Sequence, residues 1–181
     1  MLFSCTTSKV YFSYASSPEE ILIREDGKGP KIRMVILPEM IRDCKLPTVH
    51  TAKIQFASEY QYYPRSLQFE LFENDILLTL APAEITLTTV IDGSFSNFKT
   101  QNTFEDIEGL LTKFKTENKI PSEVHYFSLS ANIKAQLTNT NCTETIPLKL
   151  KVRTENTNQE KLFIFKLGER QYGSASNRPY G

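Results

Sequence analysis

At 181 residues, with 40% hydrophobic and 11% aromatic content, the chain is long enough for one domain with a real core and too apolar for a disordered protein. Lys plus Arg equals Asp plus Glu at 21 each, which excludes a global field drawing the chain to nucleic acid or to an anionic membrane, although a local basic patch is compatible with that balance. The chain has no run of about 18 apolar residues, so no transmembrane helix is expected.

The three cysteines, Cys5, Cys44 and Cys142, are far apart and odd in number and contain no CxxC pair. Neither a disulfide framework nor a zinc site is expected from them, and a reducing home, cytoplasmic or virion-associated, is the simpler expectation. Met1-Leu2-Phe3-Ser4-Cys5 resembles the end of a bacterial lipoprotein signal, with Leu2 three residues before the cysteine. Four residues cannot act as a signal peptide, so a bacterial envelope domain anchored through Cys5 requires a start upstream of Met1.

In chain order, the aromatic run Lys9 to Tyr14 predicts a first strand. Ser17-Pro18-Glu19-Glu20 carries helix-start signals, but the short Ile21-Leu22-Ile23 that follows limits it to one turn before a strand. Gly27-Lys28-Gly29-Pro30 is a turn and not a phosphate loop, because Gly-Pro follows the lysine where a Walker loop needs Ser or Thr and a helix. A strand-like KIRMVIL comes next, then Leu37 to Pro47, bounded by prolines and predicted to hold one helical turn from Pro38. Cys44 lies there beside Lys45, yet a catalytic thiol needs a positioned base. His50 and His125 are the only histidines, and both sit in register with apolar strand residues, as hydrogen-bonded core or rim histidines do.

The stretch 51–94 dominates the pattern. Ala52, Ile54 and Phe56 alternate with Lys53 and Gln55, and the alternation returns in Leu67, Phe69 and Leu71, in Ile76, Leu78 and Leu80, and in Ile85, Leu87, Thr89 and Ile91. Asn74-Asp75 and Asp92-Gly93 mark hairpin tips and Pro82 a break, which together predict an antiparallel meander with one apolar side. Tyr60 to Leu67 (YQYYPRSL) is the most surface-like segment, since Tyr60, Tyr62, Tyr63 and Arg65 offer contact area with polar tips. Tyr63-Pro64-Arg65-Ser66-Leu67 resembles the Tyr-Pro-x-x-Leu peptide by which some viral structural proteins recruit host budding factors. Continuation into the strand at Leu67 would deny it the freedom of a linear peptide.

One convincing helix follows near 104–118. Thr103 is its predicted cap, Phe104, Ile107, Leu111 and Phe114 form its apolar stripe, acids crowd its first turn and lysines its end. Val124 to Leu137 reads as a long strand. Asn141-Cys142-Thr143 matches a glycosylation acceptor that, without a secretory signal, carries no weight. Ile146, Leu148, Leu150 and Val152 alternate with Lys149, Lys151 and Arg153, a strand with a basic outer row suited to phosphates or acidic partners. Lys161 to Leu167 (KLFIFKL) is apolar enough to predict burial on both faces, and residues 168–181 read as a disordered tail.

These elements predict a mainly β, single-domain antiparallel β-sandwich or rolled barrel of about eight to ten strands over residues 1–167, with one covering helix. No GxSxG, HExxH or GxGxxG motif and no clustered ligand set appears, so no catalytic residue, metal site or cofactor is expected. The functional expectation is a non-enzymatic structural or protein-interaction module, self-assembling and viral (matrix-, coat- or movement-like) in one reading. Its interaction residues are Tyr60, Tyr62, Tyr63, Arg65, Lys149, Lys151 and Arg153, and its partner is a protein or a second copy. Nucleic acid is a candidate that net charge does not favour. The alternatives are the lipoprotein domain and a hydrolase with dispersed acids.

Overall fold

The computed structural model describes residues 9–23, 29–58, 64–91, 93–102, 104, 106–121, 124 and 127–172. In chain order the elements are strands Lys9–Ser17 (β1), Glu20–Leu22 (β2), Lys31–Leu37 (β3), Thr51–Ser58 (β4), Leu67–Glu73 (β5), Ile76–Leu77 (β6), Ala83–Ile91 (β7) and Ser94–Asn102 (β8), helix Ile107–Glu117 (α1), and strands Phe127–Gln136 (β9), Thr145–Thr154 (β10) and Asn158–Tyr172 (β11). They form two antiparallel sheets. Sheet A runs β1-β11-β10-β5-β6 and sheet B runs β2-β3-β4-β9-β7-β8. The expected class, a mainly β sandwich with one helix, is what the chain adopts.

Period-two alternation sets the inward faces. Ile32, Met34 and Ile36 on β3, Ala52, Ile54 and Phe56 on β4, and Leu129, Ala131 and Ile133 on β9 are buried from sheet B. Leu71 on β5, Leu148, Leu150 and Val152 on β10, and Phe163 and Phe165 on β11 meet them from sheet A in one continuous core. Each large aliphatic side chain so buried contributes about 1.5–3 kcal/mol, which offsets the entropy of ordering the strands.

Helix α1 buries Ile107, Leu110, Leu111 and Phe114 in the same core. Its N-cap is Asp106, whose carboxylate accepts a hydrogen bond from Gly109 N at 2.8 Å. The helix therefore starts later than the predicted cap at Thr103, a residue outside the described ones. Phe104 lies ahead of the helix and is buried against Phe56 and Phe69, so it packs as a wedge beside the stripe rather than as part of it.

Several expectations change. The runs of 51–94 do not make a meander in one sheet: β4 is in sheet B, β5 and β6 are in sheet A, and β7 and β8 return to sheet B. The crossing is short, with Leu78 N bonding to Leu71 O in sheet A and Ala81 N to Lys134 O in sheet B, both at 2.8 Å. Alternation requires a buried face, but either sheet supplies one. The one-turn helices predicted after Ser17 and Pro38 are absent. Ile21 instead pairs with Ile32, and Ile41 exchanges backbone hydrogen bonds with Phe12 on β1. The last strand reaches Tyr172, so Gly168–Tyr172, assigned by sequence to the tail, pair with Lys9–Ser13. Residues 173–181 lie outside the described ones. Gly93 at φ 76° and Asn74 and Asp75 at 49° and 63° make the expected turns.

Candidate interaction surfaces

Tyr60, Tyr62 and Tyr63 lie outside the described residues. Arg65 is exposed, and the end of its segment is tied down. The Arg65 and Ser66 N–H groups donate to the Glu155 carboxylate at 3.1–3.3 Å, and the Arg65 carbonyl accepts from Ile107 N. Burial pushes the Glu155 pKa up, but the N–H groups of Arg65 and Ser66 prevail and hold it below the ordinary value. Leu67 is buried as the first residue of β5, so residues 64–67 of the Tyr-Pro-x-x-Leu resemblance are built into the fold.

Lys149, Lys151 and Arg153 do share one face, the outer face of sheet A on β10, because they alternate with buried Leu148, Leu150 and Val152. Two of the three are occupied. Lys149 bonds Asp75 at 2.7 Å, Lys151 lies 3.5 Å from Glu160, and both ammonium groups sit about 5 Å from the Phe72 ring centroid. The Lys149 hydrogen bond holds the Asp75 carboxyl below its usual range and raises the lysine in turn. Arg153 is exposed, with no ion pair among the described residues. Sequence reading missed the apolar row on this face. Register places Leu77, Phe72, Lys149 and Leu162 side by side across four strands, with Ile164 beside Pro147. Leu162 and Ile164 are 52% and 38% exposed, contrary to the expected burial of β11 on both faces, because no element covers this side among the described residues.

The other open surface is β8. It borders sheet B with nine residues, none of them buried, and carries Phe95 at 77% exposure. Two residues separate the β7–β8 closing pair Ile91 and Ser94, so that pair exchanges both its hydrogen bonds. Alternation along the ladder then directs the backbone N–H and C=O of Phe95, Asn97, Lys99 and Gln101 away from β7. Those four residues take part in no other backbone hydrogen bond among the described residues.

At one end of the sandwich the loops after β3 and β9 close over a polar cluster. Cys44 and Cys142 form a disulfide, with Cα atoms 5.3 Å apart and 98 residues between them in sequence. This overturns the expectation that the cysteines are unpaired and takes Cys44 out of consideration as a nucleophile; sequence separation hid a contact that the sheet order creates. Tyr14 OH donates to Thr143 O, and Thr143 N donates back to it, so β1 is tied to the same loop. Buried Glu73 accepts from Thr138 N and Oγ1, both at 2.6 Å. His50 is fully buried with its ring edge-on to Tyr14, and among the described residues neither ring nitrogen reaches a partner in full hydrogen-bond geometry, the Asn139 backbone making only a weaker approach. Burial lowers its pKa, opposed in part by the Asn139 backbone and the Glu73 charge. The expectation of a hydrogen-bonded core histidine therefore holds for its burial and not for its bonding, while His125 lies outside the described residues.

An open cleft of about 430 Å³ runs between β5 and the crossing segment, walled by Leu67, Phe69, Leu80, Pro82 and Phe104. Glu70 is the one carboxylate among its lining residues, so a hydrolytic acid pair is not assembled there among the described residues. No group of three or more His, Cys, Asp or Glu among the described residues could hold a metal ion, and no described helix is long and apolar enough to cross a membrane.

Comparison with known protein families, with curated proteins and with solved structures finds no match for this chain.

Proposed function

We propose that this chain is a non-enzymatic structural module that associates with further copies of itself through open sheet surface. The observation that carries the reading is β8, a full-length border strand with exposed side chains and outward backbone groups. Folded proteins blunt such edges with proline, several charges or a covering element, and β8 has one charge, Lys99, and no proline. The apolar row on the outer face of sheet A adds to the surface available for contact. Pairing of Lys149 and Lys151 with acids within the fold makes a protein surface a better partner for that face than nucleic acid. Light scattering on the purified, oxidised chain across a concentration series tests the reading. A mass rising above the monomer supports it, and a monomer at every concentration up to the millimolar range overturns it.

For the setting, the disulfide favours an oxidising compartment over a cytoplasmic one. It also uses two of the three cysteines and leaves Cys5, the residue of the lipoprotein-like start, outside the bond. Both points favour a bacterial envelope domain anchored through Cys5 over a virion component. Intact mass of the natural protein extracted in detergent is the test: a diacylglycerol-modified Cys5 supports the anchor, and an unmodified residue removes it.

A further inference from the structure

We propose that the partner of β8 is β8 of a second copy, paired antiparallel about a two-fold axis at Phe98. This rests on the self-association reading above and specifies its geometry. A symmetric antiparallel pair needs an axis on a residue of the strand, and the residue chosen decides which side chains meet. Phe98 bonds to β7 through its backbone, so across the axis it forms the close, non-hydrogen-bonded type of pair, with Cα atoms about 4.5 Å apart.

Three consequences of that register fit the strand. Phe98 lies opposite fully buried Leu87 and packs partly buried against the core, so the two copies of Phe98 meet on the core side and extend the apolar interior from one sandwich to the next. The residues with outward backbone groups oppose one another as Phe95 with Gln101 and Asn97 with Lys99, and each such pair exchanges two hydrogen bonds. Lys99, the strand's one charge, faces an amide and not its own copy. An axis at Lys99 would set two ammonium groups against each other, whereas the Phe98 register leaves no like charges directly opposed on β8. The result joins two six-stranded sheets into one continuous sheet.

The experiment is sedimentation equilibrium of the oxidised chain and of Asn97→Glu, Asn97→Lys and Lys99→Pro, at low and high salt. Thr88 Oγ1 donates to Asn97 Oδ1, a bond that a glutamate can still accept and a lysine cannot, so the two Asn97 variants are compared in a Thr88→Val background, where a difference between them reports charge and not that bond. Asn97→Glu sets a carboxylate against the second copy's Lys99, twice per dimer, and is expected to tighten association by about two- to tenfold at low salt. Asn97→Lys is expected to weaken it by a similar factor, and salt should shrink both effects. Lys99→Pro removes an outward N–H that bonds nothing among the described residues and is expected to abolish the dimer while the circular-dichroism spectrum stays that of a β protein. Association of the unaltered chain that is indifferent to all three variants overturns β8 as the interface and leaves self-association standing. Weakening by Asn97→Glu and Asn97→Lys alike overturns the Phe98 register, since it places Asn97 opposite itself. A chain monomeric throughout overturns both proposals.

Discussion

His50 shows what one side chain contributes to the pH behaviour of the whole. Its imidazole is fully buried with no well-formed hydrogen bond among the described residues, so a proton there would be a charge in the core. The groups facing it are Tyr14 on β1, Glu73 on β5 and the backbone of Asn139. Burial outweighs the help of Asn139 and Glu73, and the folded pKa lies below the ordinary 6.5. Above 6.5 both folded and unfolded chains carry neutral imidazole and no stability is lost. As pH falls through 6.5 toward the folded value, the unfolded chain takes up the proton first and unfolding is favoured. His50→Phe should flatten this dependence, and urea midpoints at pH 5.5 and 7.5 measure it. Equal midpoint shifts in variant and unaltered chain would show that His50 does not titrate differently on folding. Glu155 acts in the same direction at lower pH: its lowered pKa contributes stability above the ordinary carboxylate range that is lost as pH falls through the folded value.

At the level of the element, the start of α1 joins two residues that substitution rules treat separately. Asp106 caps the helix through Gly109 N, and a β carbon at position 109 would run into that same carboxylate. Asp106→Ala should cost about 1 kcal/mol. Gly109→Ala, which in an unobstructed helix gains about 1 kcal/mol, should gain nothing here because the cap must move aside. In the Asp106→Ala background the gain should return, and a double-mutant cycle from urea unfolding reads the coupling directly. Additive effects would mean that the aspartate shifts without losing its bond.

For the whole molecule, the disulfide is the longest-range constraint. It closes a loop of 98 residues and fastens the β3–β4 connection to the β9–β10 connection, where Thr48 N also bonds Thr140 O. Loop-closure entropy for that length corresponds to about 4.7 kcal/mol. Reduction, or Cys44→Ser, is therefore expected to lower Tm by about 10 °C in a domain of this size, and a thermal scan with and without reductant measures it. A change under about 2 °C would mean that the loops are held equally well by their hydrogen bonds. The two open surfaces, β8 and the outer face of sheet A, belong to different sheets, so disrupting one by substitution leaves the other to be tested.

The sequence by itself determined the pieces: which runs are strands, which residues of each run point inward, where Asn74-Asp75 and Gly93 turn, and that one helix with an apolar stripe covers the core. Those properties are local, since side-chain alternation and turn conformation are set within a few residues and the apolar side must be buried wherever the strand is placed. Only the tertiary structure decided that β4 and β5 part into different sheets, that β8 is a border strand and β10 an inner one, that Leu162 and Ile164 face outward, and that Cys44 meets Cys142. Strand order arises from pairing between distant segments, to which period-two alternation is indifferent, because any inward face satisfies it. The lysines of β10 were legible as one row from their spacing, while their neutralisation by Asp75 and Glu160 was not, since those acids arrive in the β5–β6 turn and on β11 through that same non-local order.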